Sequence, residues 1–161
     1  MPIELSDSAI LQIDELLTRY PVKQGALLPI LHLVQGELGS LPLDAQEWIA
    51  NKIEVSPATV YGVATFYPMY RMEPVGTYHL KVCATLSCAL GGAEDLIEAL
   101  KAKLGVDVGE TTPDGKYTIS RVECLAACGD GPVVEVNHKL YRHITADKVD
   151  EFLGQIEHDL G

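Results

Sequence analysis

Apolar positions along the first 70 residues recur at three- and four-residue intervals, and after about residue 77 they alternate. Ile10, Ile13, Leu16, Leu17 and Tyr20 trace one face of a first helix, which Ser6 or Asp7 caps and Pro21 stops. A second helix spans about 26–38, with Pro29 tolerable near its first turn and Gly39 as its stop. Its leucines face most directions, the pattern of a centrally packed helix. A third lies near 44–53, and a fourth opens at Ser56 and Pro57, an N-cap followed by proline at the first helical position. Pro74 and Gly76 break the pattern and set the expected boundary, giving domains of 1–73 and 74–161.

Beyond the boundary, "TYHLKVC" places Tyr78, Leu80 and Val82 on one face of a strand that delivers Cys83 at its end. Helical spacing returns through Leu96, Ile97, Leu100 and Leu104, closed by Gly105. A second strand follows the Pro-Asp-Gly turn and ends at Cys124. "PVVEVN" and "KLYRH" form two strands joined at Asn137 and His138, and Thr145 caps a last helix. The fold class expected is α+β in two domains: a helical bundle, then β-α-β-β-β-α as a small thioredoxin-like sheet with both faces at least partly covered.

The 161 residues are 47% hydrophobic, enough for a core in either arrangement. Twelve basic against 23 acidic side chains give a net charge of -11, spread along both domains. Such a field repels phosphate backbones and anionic headgroups, so no nucleic-acid ligand is expected. "EWIANKIEVSPATVYGVATFY" has the outline of a helix-turn-helix, yet residues 57–67 hold no Arg, Lys, Asn or Gln to read DNA. The acidic N-terminus lacks a secretory pattern and no stretch of about 18 apolar residues occurs, which predicts a cytosolic chain without direct membrane insertion.

In that compartment the cysteines change the picture most. Cys83 and Cys88 form C-x4-C, Cys124 and Cys128 form C-x3-C, and each pair follows a predicted strand. Strand ends gather along one sheet edge, where four thiolates can meet. Zinc knuckles prefer C-x2-C, whereas a [2Fe-2S] cluster takes two thiolates per iron and suits wider loops. The cluster is the leading reading, with structural zinc and buried-core or disulfide cysteines as the alternatives. No C-x2-C dithiol or C-x-H Rieske spacing occurs. The loops "CATLSCALGG" and "CGDGP" supply Gly and hydroxyls for turns that aim N–H groups at sulfur, and Glu123 and Asp130 would disfavour the reduced state. A potential near the plant-type ferredoxin value of about -400 mV is expected. His32, His79, His138, His143 and His158 lack metal-site spacing and read as surface or packing residues; His79 alone lies close enough in sequence to tune the site. Trp48, Tyr61, Phe66 and Tyr67 read as bundle core or interface, an exposed patch among them marking a docking face.

The stretches "VATFYPMYRMEPVGTYHLKVCATLSC" and "ECLAACGDGPVVEVNHKLYRHITADKVDEFL" resemble the NuoE-type [2Fe-2S] subunit of NADH:quinone oxidoreductase, respiratory complex I, over nearly the whole chain. The family usually has Gly where this chain has Ala126. The resemblance implies a helical domain followed by a thioredoxin-like ferredoxin domain, with Cys83 and Cys88 on one iron and Cys124 and Cys128 on the other. It also implies a non-catalytic electron-transfer role beside a NuoF-type flavoprotein that carries FMN and binds NADH, within the peripheral arm on the cytoplasmic side of the inner membrane. Equivalent subunits of NAD-linked hydrogenases and formate dehydrogenases, and a free-standing thioredoxin-like ferredoxin, are the alternatives. The only G-x-G is Gly129-Asp130-Gly131, with no helix opening after it, so NADH and FMN are expected on the partner and catalysis in the assembly.

Overall fold

In the computed structural model, which describes residues 3–161, the chain divides into two compact units, one ending at Pro74 and the other beginning at Val75.

Among its described residues the first unit holds four α-helices. Helix α1 (Asp7–Thr18) starts where Ser6 Oγ accepts the Ala9 N–H at 3.1 Å, and it buries Ala9 and Ile13. Helix α2 (Leu27–Leu38) follows a 3-10 turn at Lys23–Ala26, and Gly39 ends it with φ 79°. Helix α2 is the centre of the bundle, burying Leu27, Ile30, Leu31, Val34 and Gln35. Its one buried polar side chain spans the exit segment: Gln35 Nε2 donates to the Met69 carbonyl at 3.1 Å while Oε1 accepts the Arg71 N–H at 2.7 Å. A buried amide satisfied on both sides locks that segment to the helix without leaving a polar group unpaired. Helix α3 (Leu43–Ile53) packs on α4 (Pro57–Phe66), which Ser56 caps through the Thr59 N–H. Trp48 and Tyr67 pack against the bundle core, whereas Tyr61, Phe66 and Met69 are exposed.

The second unit is a four-stranded sheet ordered β2-β1-β3-β4. Strand β1 (Tyr78–Cys83) runs parallel to β2 (Tyr117–Val122), with Cys83 opposite Val122. Strand β3 (Val133–Val136) is antiparallel to β1, and β4 (Lys139–Arg142) is antiparallel to β3. The β3–β4 turn uses Asn137 and His138 at φ 47° and 74°, the geometry of a type I′ hairpin. Asparagine suits it doubly, since its side chain also donates to Thr77 O and accepts from His79 N.

Tyr78, Leu80 and Val82 share one core with residues of α6 (Ala93–Leu104) and α7 (Val149–Leu160), so both long helices cover one sheet face. The opposite face carries His79, whose Nε2 lies 2.8 Å from Ser120 Oγ, the Lys81–Glu135 pair and, at its end, Cys83. Alternation along β1 therefore turns Cys83 away from the helical core.

Three expectations need correction. Strand β2 ends at Val122, two residues short of Cys124, because beyond that point the backbone leaves the β1 ladder. Thr145 precedes a 3-10 turn at Ala146–Lys148 and does not cap α7, which starts only at Val149. The first cysteine loop contains a helix, α5 (Leu86–Leu90), too short to show a hydrophobic period. No described helix is long and apolar enough to cross a membrane.

Candidate metal centre

Because β1 and β2 are parallel and in register, their C-terminal ends lie side by side and send both cysteine-bearing loops from one sheet edge. Cys83 closes β1, and Cys88 sits on α5; each is 2% exposed. With Ala93 and Val133 they form a small core of their own, flanked by Leu125 and Ala127. Cys124 and Cys128 are exposed, with Cys128 opening a 3-10 turn at Cys128–Asp130. The two sulfurs of this second pair lie 3.5 Å apart.

The surroundings of the sulfurs are donors. Cys83 Sγ lies 3.3 Å from Thr85 Oγ1 and also receives the backbone N–H groups of Thr85 and Leu125. Burial pushes the Cys83 thiol up, but these hydrogen bonds outweigh it and leave its pKa below the ordinary thiol value. Cys88 moves the other way, because burial and the adjacent Cys83 outweigh the Val133 N–H it accepts. Cys128 is raised by its hydrogen bond and charge interaction with Cys124. Ionising Cys83 thus opposes ionising Cys88, and a bound metal cation would reverse that balance.

Leu125 and Ala127 of the second loop pack against the small core of Cys83 and Cys88, and Gly131 lies against Cys88, so the two loops meet in one site. Within it the sulfurs come as pairs, and no three described His, Cys, Asp or Glu side chains gather round one ion-sized point. Four thiols in two pairs, with backbone N–H groups aimed at sulfur, are the donor set of a two-iron cluster. The residues present therefore fit that group.

Two backbone features shape the loops. Ala126 adopts φ 58°, and its N–H donates to Cys124 Sγ at 3.3 Å. Left-handed backbone is where glycine costs least, so an alanine here carries strain that a glycine would not. Gly131 faces Cys88, where an added Cβ would lie 3.3 Å from Sγ. Asp130 is held to the end of β4 by Arg142 Nε at 3.2 Å and by its own carbonyl, which accepts the His143 N–H at 2.9 Å.

The histidines divide as follows. His79 lies four residues before Cys83, about 13 Å along the strand, and is engaged with Ser120, so it does not tune the sulfurs by contact. His32 packs on Tyr70 with ring centroids 5.0 Å apart, and His138 and His158 lie at the surface. His143 Nε2 lies 3.7 Å from Asp130 Oδ1, beside the second loop, a placement that no sequence spacing announced.

Comparison with known proteins agrees with this geometry. Residues 13–157 match the model of the thioredoxin-like [2Fe-2S] ferredoxin family. The chain belongs to that family. The NADH-quinone oxidoreductase of Rickettsia conorii has a subunit, its E component, that is 40% identical over 149 residues, covering 91% of this chain and 89% of that protein. The HndA subunit of the NADP-reducing hydrogenase of Solidesulfovibrio fructosivorans is 35% identical over 144 residues, covering 89% of this chain and 84% of that one. Among solved structures, an air-oxidised NAD+-reducing [NiFe]-hydrogenase superposes with a TM-score of 0.71 over 84% of this chain and 23% of its own, at 18% identity. That likeness shows the fold, and its coverage shows that this ferredoxin fold is shared together with much of the helical unit.

Proposed function

We propose that this chain is an electron-transfer subunit of an NADH-quinone oxidoreductase, with Cys83 and Cys88 holding one iron of a [2Fe-2S] cluster and Cys124 and Cys128 the other. The observation that carries the reading is the convergence of two donor-lined cysteine pairs at the adjoining ends of β1 and β2. When bound, such a cluster supplies one-electron redox chemistry at low potential. The chain's own residues hold it and set its surroundings. Thr85 and the Leu125 and Val133 N–H groups stabilise negative charge on sulfur, and the small core around Cys83 and Cys88 keeps water from one side. The exposed Cys124–Cys128 side faces solvent, as electron exchange with a partner requires.

The partner in this reading is a flavoprotein subunit that carries FMN and binds NADH, which keeps hydride chemistry off this chain. Assembly with it places the chain on the cytoplasmic side of the inner membrane through the complex. The 35% identity to a hydrogenase subunit supports a second host, an NAD(P)-linked hydrogenase.

The test is iron and acid-labile sulfide per chain after anaerobic purification, with the EPR spectrum of the dithionite-reduced protein. Two iron, two sulfide and one spin-half signal are expected for one [2Fe-2S] cluster per chain. Stoichiometric zinc without sulfide, from cells supplied with iron, overturns the proposal. Co-purification then separates the hosts, since NADH-driven quinone reduction and hydrogen-driven NAD(P) reduction require different complexes.

A further inference from the structure

Strand β4 runs out beside the second cysteine loop. Arg142, its last residue, pairs with Val133 of β3, and Val133 packs in the small core with Cys83 and Cys88, whereas Tyr141 faces the helical core. Arg142 therefore stands on the cysteine side of the sheet, about 10 Å from β1 across two strand spacings. Beyond that pair the attachment is one-sided, because Pro132 has no N–H to give. The His143 N–H donates to the Asp130 carbonyl at 2.9 Å and the Ile144 N–H to the Pro132 carbonyl at 3.1 Å. The segment so held joins Cys128 to β3, and its Gly131 lies against Cys88. Side chains complete the attachment: Arg142 Nε lies 3.2 Å from Asp130 Oδ2, and His143 Nε2 lies 3.7 Å from Oδ1.

Resting on the function proposed above, we propose that Arg142 is a positioning residue for the cluster: through Asp130 it fixes the Cys128 loop, and its guanidinium cancels the carboxylate charge placed beside that loop's ligands. Counted by itself, Asp130 opposes reduction, which adds negative charge at the site. Beside Arg142 it is half of a neutral pair. The two side chains are 55% and 44% exposed, so the pair adds little to the stability of the whole unit, and its effect falls on the loop and on the potential. A unit charge at about 10 Å, in a dielectric between the surface value and that of water, changes the reduced-to-oxidised ratio about threefold. That is roughly 30 mV at about 59 mV per tenfold.

The experiment measures the one-electron midpoint potential of the loaded full chain by EPR-monitored titration at pH 8, where free imidazole is neutral. Wild type is compared with Arg142→Gln, Asp130→Asn and the double variant. Arg142→Gln leaves the carboxylate bare and is expected to lower the reduced-to-oxidised ratio at fixed potential about threefold. Asp130→Asn leaves the guanidinium bare and is expected to raise it by a similar factor. The double variant, an uncharged amide pair, should return to the wild-type potential. Iron release to a chelator should be about threefold faster in each single variant and near wild type in the double. Opposite shifts from the two single variants are the signature of charge, which a merely loosened loop does not produce. Potentials equal to wild type, or single variants that shift in the same direction, overturn the inference and leave the function standing. Iron release at the wild-type rate in both single variants overturns the positioning role. If Arg142→Gln does not load, Asp130→Asn alone decides, a raised potential being expected and an unchanged or lowered one overturning the inference. A wild-type chain that takes up zinc in place of iron and sulfide sinks the functional proposal itself, and this inference with it.

Discussion

Replacing Ala126 by Gly should stabilise the ferredoxin unit. Ala126 sits at φ 58°, a conformation that costs an L-residue about 1–2 kcal/mol, and its methyl group is exposed, so truncation loses no packing. Against that gain, glycine adds unfolded-state entropy worth about 0.4–1 kcal/mol. The difference leaves a net stabilisation of about 0.5–1 kcal/mol, which for a domain of this size is a rise in Tm of about 2–8 °C. Ala126→Val provides the opposite perturbation, because a β-branched residue is a steric outlier at positive φ. The assay is anaerobic unfolding of the loaded chain followed by far-UV circular dichroism at several scan rates, with cluster loss read from visible absorbance. Ala126→Gly should melt higher and retain the cluster longer, because the turn that aims the Ala126 N–H at Cys124 is relieved of strain. A glycine variant no more stable than wild type, together with a tolerated valine, would refute the left-handed assignment and the argument built on it.

Three other perturbations test separate parts of the molecule. Gly131→Ala sets a methyl 3.3 Å from Cys88 Sγ and 3.4 Å from Cys88 Cα, so iron should be lost faster to a chelator while the fold melts near wild type; equal retention would show the space is not needed. Gly76→Ala sets a Cβ 2.9 Å from the Lys116 carbonyl carbon and Tyr117 nitrogen, and should cost about 1–3 kcal/mol in denaturant unfolding, an unchanged midpoint counting against that close approach. Glu157 accepts hydrogen bonds from Lys116 Nζ and the Tyr117 hydroxyl, which lower its pKa when folded. Its stabilisation is therefore present above the unfolded carboxylate value of about 4.3 and is lost as pH falls through the lowered folded value. Glu157→Gln should flatten the acid side of the stability curve, measured as unfolding midpoint against pH; an unaltered slope would contradict the assigned bonds.

Local signals predicted local structure well in this chain. The Ser6 and Ser56 caps, the Gly39 stop and the Asn137–His138 turn each depend on contacts within a few residues, which the order of side chains already specifies. Failures cluster where distant pairing competes. β2 stops at Val122 because β1 ends opposite it, α5 is too short to show a period, and Thr145 meets a 3-10 turn before the helix. His79 has a cysteine four residues away in sequence, yet an extended strand turns four residues into the far end of the sheet.

The same division runs through the site. Two cysteine pairs, their loop lengths and their nearby glycines are properties of the sequence, and with a resemblance over nearly the whole chain they pointed to two irons. Only the tertiary structure decided that parallel β1 and β2 end in register, that Cys83 and Cys88 are enclosed while Cys124 and Cys128 face solvent, and that Leu86 and Leu90 stand outward. The reason is physical: spacing limits how far two thiols of one loop can separate, but burial, surface exposure and the Leu125 and Val133 N–H groups that reach the first pair depend on segments 35 or more residues apart along the chain.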